Sequence, residues 1–356
     1  MTSIRSTHSR SLGGGRSSRA FSLVELQVSL VIFLLLLGLL FGLTQQTTQV
    51  FRTTSGQMEA FRSARAAFET ITRNLSLATL NNYYDYVDAT GRTRAEVIQG
   101  GDATLASSFS PATYGRVSDM HFVCGRQGGG TTLYTRQITH SVFFQAPLGF
   151  SQAGALSTLE NMVNACGYYV EYSADTSQPG FVASAPVYRY RLMEFMQPAE
   201  QLSVFSSGGT SWFTDALSGA TPPVHQVAPN IIALLFLPRS SSADSAASSD
   251  PILTAIPDFI YDSRASLNSA VHHQLPPLVE VVMVAIDEAS ATRFATANAT
   301  PPTVIQNALT ASGRFQTASR LEADLRDLER DLTDQRITFR TFRTIVPMRN
   351  SKWSRQ

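Results

Sequence analysis

One carboxylate interrupts the most apolar stretch of this chain. Residues 21–43, FSLVELQVSLVIFLLLLGLLFGL, are nearly all hydrophobic, and Glu25 is their single charge. A carboxylate inside a membrane-spanning helix costs roughly 2.5–3.5 kcal/mol on insertion scales, so it asks for a compensating role. Two are open. It can pair with a cation stranded in the same low-dielectric layer, or it can snorkel to the interface near the helix end. The two cysteines are Cys124 and Cys166. In an exported region a disulfide between them is permitted. Closing that ~40-residue loop would stabilise by ~3–4 kcal/mol in the chain-entropy model. Two buried free thiols are the alternative. His272-His273 is the one histidine pair, but adjacent positions in an extended chain point apart and no further ligand stands at metal spacing. Asp244, Asp250, Asp258 and Asp262 lack the glycine and terminal glutamate of a calcium loop. No GxSxG or HExxH occurs. The sequence therefore predicts no enzyme, no cofactor and no metal.

The elements around Glu25 come next. At ~1.5 Å per residue, residues 21–43 reach ~35 Å as a helix, enough for the ~30 Å hydrocarbon core of a bilayer. Residues 1–20 hold Arg5, Arg10, Arg16 and Arg19 and no acid, so the positive-inside rule keeps this end cytoplasmic and sends the rest across. A secretory signal would have a shorter apolar region and a small-x-small cleavage site; here TQQTTQVF follows. A plain anchor explains everything except Glu25. No proline interrupts residues 44–80, where Phe51, Met58, Phe61, Phe68, Ile71, Leu75 and Ala78 recur on one helical face. The helix is therefore expected to run over residues 21–80, with an i,i+4 pair between Glu69 and Arg73 and a stop at Asn81-Asn82.

The residues around Glu25 also carry a resemblance. Ser18-Arg19-Ala20 followed by Phe21-Ser22-Leu23-Val24-Glu25-Leu26 resembles the type IV prepilin signal. The resemblance implies that a prepilin peptidase cuts between Ala20 and Phe21. It further implies that Phe21 is N-methylated and that Glu25, fifth in the mature chain, serves assembly by meeting the amine of a neighbouring subunit. The residue before the cut is usually Gly, and here it is Ala20. FRSARAAFETITRNLSLATLNNYYDY (61–86) is similar to the J-type minor pseudopilins and the PilW-like minor pilins. More narrowly, it resembles the Verru_Chthon cassette protein C family, prepilin-like proteins of Verrucomicrobia. That similarity resumes in NIIALLFLPR, LPPLVEVVMVAIDEASATRF and TFRTIVPMRNSKWS. It implies a structural subunit of a type IV pilus-like filament or type II secretion-like pseudopilus. Its implied partners are the peptidase, other pilin subunits, the assembly platform and the lipid bilayer.

The rest of the chain reads as a head domain. Strands are expected at residues 118–124, 132–145, 167–172, 187–195, 231–237, 279–286 and 337–346, with 231–237 and 279–286 central because they are continuously apolar. Residues 87–115 read as a loop, and 239–250 as a low-complexity loop. Leu321, Leu325, Leu328 and Leu332 mark an amphipathic helix. A formal net charge of +1, with Lys352 the single lysine among 28 basic residues, gives no basic field for nucleic acid. The expected architecture is α+β and pilin-like: a cleaved leader (1–20), a transmembrane half-helix (21–43), a periplasmic half-helix (44–80) and an antiparallel-sheet head (81–356). The expected location is the inner membrane, single-pass, head in the periplasm, or a cell-envelope filament. A monomeric membrane-anchored extracytoplasmic binding protein is the alternative.

Overall fold

The computed structural model describes residues 22–94, 97, 107–126, 133–156, 158–174, 186–206, 208–241, 259–264, 271–295 and 298–353; for 49–55, 57 and 312 it describes backbone alone. Two compact units result, Met1–Thr54 and Ser55–Gln356, and the boundary falls inside the first helix. That helix, α1, runs Leu23–Ser76 over 54 residues. In the first unit its segment Leu23–Thr48 has a mean hydropathy of 2.6 and none of it is buried. A helix apolar on every side is built for an apolar surrounding rather than water.

In the second unit α1 buries one face. Ala64, Ala67, Phe68, Ile71 and Leu75 are all buried, as is Ala78 just past the helix end, and Phe61 packs against them. The expected stripe thus holds from Phe61 onward, while Met58 is exposed and the Phe51 side chain lies outside the described residues. Two expectations about α1 are corrected. Glu69 pairs with Arg65, one turn earlier, at 2.9 Å, which leaves Arg73 outside that pair. The helix also stops at Ser76 instead of Asn81-Asn82, because the chain is drawn off: Thr79 N–H donates to the Gln145 carbonyl at 2.9 Å. Asn81 fastens a loop instead, accepting from the Asp119 and Met120 amides at 2.9 and 3.0 Å.

The head is mixed helix and sheet with antiparallel pairing throughout. A hairpin of β1 (Tyr83–Asp88) and β2 (Pro111–Val117) stands at each end of the stretch read as a loop. A six-stranded sheet has the order β7-β6-β5-β4-β3-β9. Its strands are β3 Val123–Arg126, β4 His140–Pro147, β5 Val163–Ala174, β6 Tyr188–Gln197, β7 Val224–Pro229 and β9 Tyr261–Asp262. A three-stranded sheet has β10 (Leu278–Ile286) between β8 (Ile231–Arg239) and β11 (Phe339–Pro347). The expected strand over 132–145 is half as long as the pattern suggests. Gln137, fully buried, bends the chain by accepting from Tyr134 N and donating to the Thr139 carbonyl, each at 3.1 Å.

The six-stranded sheet is covered on both faces, by period-2 alternation. Val142, Phe144, Cys166, Tyr168 and Val170 face the core that holds α1. Phe143, Ala165, Tyr169 and Phe195 face a second core with Trp212 and Phe213 of α2 (Ser211–Ser218). Gly167 lies opposite Phe143, and a methyl there would run into the Phe143 ring. The chain passes between sheets at Asn230, which adopts φ 62°, a conformation that Asn tolerates. Two short helices, α3 (Glu288–Phe294) and α4 (Thr303–Thr310), precede α5 (Leu321–Asp334). All four leucines of the expected stripe are buried on α5.

Strand β8 is a correction. It was expected at a sheet centre, yet it is an edge strand with eight of its nine residues buried. Side chains take the place of a neighbouring strand. The Thr139 hydroxyl accepts from Leu234 N at 3.0 Å and donates to Leu234 O at 2.9 Å. His140 Nδ1 accepts from Phe236 N at 3.2 Å. A buried backbone group without a partner costs about 1–3 kcal/mol, so these two residues make the apolar edge tenable. On β10, buried Glu280 is held by Arg239 at 2.7 Å and by Arg343, which also reaches Glu322 on α5.

Candidate functional site

Of the residues expected to act, Ala20 and Phe21 lie outside the described residues, as do Asp244, Asp250 and Asp258. Glu25 is described. It stands in the first turn of α1, and its Oε2 accepts from the Ser22 backbone N–H at 3.1 Å. Ser22 and Glu25 have the spacing of a capping box, in which the acid three residues in reaches back to the cap. The carboxylate therefore serves its own helix start, a role that the sequence reading missed although Ser-x-x-Glu is written there.

The two cysteines are free and buried. Cys124 lies opposite Val142 and Cys166 opposite Phe144, so β4 runs between them. Strands two apart are ~9.6 Å distant, before the two-residue offset is added, and a disulfide needs Cα atoms within ~7 Å. The permitted bridge is not made. Burial pushes both thiols well above their ordinary value, which leaves them inert apolar packing groups.

His121, Asp262 and Trp212 meet although 141 and 91 residues separate them from His121. His121 Nε2 lies 2.7 Å from Asp262 Oδ1, and its Nδ1 accepts the Trp212 indole N–H at 3.0 Å. Those contacts assign the proton to Nε2. In a hydrolase the second ring nitrogen would activate a hydroxyl; here an indole fills that place, and the ring is fully buried. Burial pushes the His121 pKa down. Burial alone would raise Asp262, but the hydrogen bond from His121 and the nearby Arg264 outweigh it and hold the carboxyl low. The trio fastens α2 and β9 to the loop that enters β3. Near it, buried His273 donates its backbone N–H to Ser263 O at 2.6 Å. Among the described residues no three His, Cys, Asp or Glu gather to hold a metal.

The arrangement best suited to a ligand is a groove beside the last turns of α1. It has a volume of about 770 Å³, within the ~300–1,000 Å³ range of ligand pockets. The polar row at and beneath its floor follows from strand register. Tyr168 lies opposite Glu194, and Glu194 opposite His225, so three adjacent strands set these residues in one row. Asn74 of α1 donates to the Tyr168 hydroxyl at 2.8 Å. That hydroxyl donates in turn to Glu194 Oε1. His225 Nε2 lies 2.5 Å from Glu194 Oε2. Asn74, Tyr168 and Glu194 are buried, while His225 is more than half exposed. The hydrogen bond to Glu194 raises the His225 pKa against the opposing effect of burial. Leu77, Leu148, Phe150, Met196 and Val224 supply apolar walls, and Arg73 and Gln152 also line the groove. None of these residues was singled out as a site from sequence, because only the register between β5, β6 and β7 unites them.

Comparison with known proteins adds no relative: no protein-family model, no curated protein and no solved structure matches this chain.

Proposed function

We propose that this protein is a minor pilin or pseudopilin, a structural subunit of a type IV pilus-like filament or a type II secretion-like pseudopilus. The observation that carries the reading is α1. A single helix of 54 residues begins with an apolar, membrane-length segment bearing one carboxylate and ends with a buried face in the head. Such a helix anchors the chain in a bilayer before assembly and gives neighbouring subunits an apolar rod to pack against afterwards. The Ser18–Leu26 motif and its prepilin-like cut before Phe21 belong to the same reading, with Glu25 pairing with the new amine of a neighbour. The head then faces the periplasm or the filament surface.

Mass spectrometry of the mature N-terminus from native membranes tests the processing step. A chain starting at N-methyl-Phe21 is the expected result. An intact leader would leave a simple anchored protein, and a cut beyond residue 43 would overturn the filament assignment.

The groove favours a second reading, a monomeric membrane-anchored binding protein whose head takes an envelope ligand. Crosslinking through the exposed side of α1 separates the two, since a filament subunit is trapped with copies of itself or related subunits and a monomer is not.

A further inference from the structure

We infer that the groove beside α1 binds an apolar peptide carrying a single carboxylate, with Arg73 as the charge that receives it. The one acid that lines the groove is already answered. Glu194 has both oxygens engaged, one by Tyr168 and one by His225. Arg73 is different. It is exposed in the last turn of α1, and it has neither a hydrogen bond nor an ion pair from its side chain among the described residues. Its natural i,i+4 partner, Glu69, is held by Arg65. The groove is thus left with one uncompensated positive charge, carried by a guanidinium whose fork suits a carboxylate.

The rest of the lining describes what the carboxylate is attached to. Apolar walls ask for an apolar body. A bare alkyl chain would need nothing more, yet α1 also sets Thr70 and Asn74 along the groove. Asn74 is buried with its amide nitrogen committed to Tyr168, and its Oδ1 has no partner among the described residues. That leaves an acceptor suited to a peptide N–H. The site is built: Asn74 and Glu194 are each 6% exposed and fixed by the row of hydrogen bonds beneath them. This inference is independent of the filament assignment, because the groove lies wholly within the unit Ser55–Gln356.

The test uses the full-length protein in lipid nanodiscs. The probe is a library of N-acetylated tetrapeptides of apolar residues, made once with free C-terminal carboxylates and once as C-terminal amides. Free-acid members are expected to bind, with the matching amides at least tenfold weaker. Arg73→Gln should erase that difference, and Thr70→Trp, which fills the groove, should abolish binding of both. Tryptophan emission serves as the fold control for Arg73→Gln. Equal affinity of acids and amides, an unchanged preference in Arg73→Gln, or no retained peptide would each overturn the inference. Binding of dodecanoate that depends on Arg73, without binding of any peptide, would assign the groove to a fatty acid and overturn it as well.

Discussion

His140 shows how much one buried side chain can carry here. Its Nδ1 accepts from Phe236 N and its Nε2 lies 3.1 Å from the Phe315 carbonyl. The ring is therefore neutral with the proton on Nε2, and protonating Nδ1 would break the bond that caps β8. Burial pushes its pKa from 6.5 down to about 4. Burial also pushes His273 down to about 3 and lowers His121. In the unfolded chain each returns to its ordinary value, so the unfolded state binds more protons between the two values. Stability is then fully present above about pH 6.5 and is lost as the pH falls toward 4. His140 alone accounts for about 3 kcal/mol of that loss. His140→Leu should be less stable at pH 7 by about 2–4 kcal/mol, because two buried backbone groups lose their partners. It should also have a shallower acid limb. Denaturation followed by tryptophan fluorescence at a series of pH values reads both quantities. An acid limb that superimposes on the wild type would remove His140 as its source.

At the scale of elements, the end of α1 is completed by residues more than 270 positions away. Asn350 Nδ2 donates to the Leu77 and Ala78 carbonyls at 3.3 and 3.2 Å, and Arg349 N donates to the Ser76 carbonyl at 3.1 Å. The last carbonyls of a helix have no partner within it; here the Arg349 amide takes that of Ser76, while Asn350 holds the two carbonyls that follow the helix, where a local glycine cap would otherwise turn the chain. Asn350→Ala should cost about 1 kcal/mol. Its effect should be local, with faster amide hydrogen exchange over residues 74–80 and unchanged protection in α5. Faster exchange throughout the head would mean that the tail supports the fold as a whole. The same contrast between near and far explains what was legible beforehand. The leucine face of α5, the α1 face from Phe61 and the apolar run of β10 are contiguous periodic patterns, and each could be read directly. The end of α1, the edge position of β8 and the bend at Gln137 are set by groups distant in sequence or by one buried amide, so local pattern pointed elsewhere. Of the candidate sites, Glu25 was legible because its oddity is local. The Asn74–Tyr168–Glu194–His225 row was not, since it exists only once three strands are in register.

For the molecule as a whole the question is what the Glu25 carboxylate is for, because two physical roles now compete. One is local: it accepts from Ser22 N–H and helps to start α1. The other belongs to the proposed assembly, where a negative charge in the apolar layer is offset by the amine of a neighbouring subunit. The two roles respond differently to substitution. Glutamine retains an oxygen that can close the capping box but carries no charge. Alanine removes both. Neither change should hinder membrane insertion, because each removes a charge that costs roughly 2.5–3.5 kcal/mol to place in the bilayer. If assembly depends on charge pairing, Glu25→Gln and Glu25→Ala should both remain in the membrane fraction and both lose most of their crosslinks to neighbouring subunits. If the carboxylate serves chiefly as a helix cap, Glu25→Gln should crosslink like the wild type and Glu25→Ala should be impaired alone. Wild-type crosslinking in both variants would deny Glu25 any part in assembly. The pilin reading would then rest on the N-terminal mass alone. The comparison works because the cap needs an acceptor oxygen, whereas the subunit contact needs a charge.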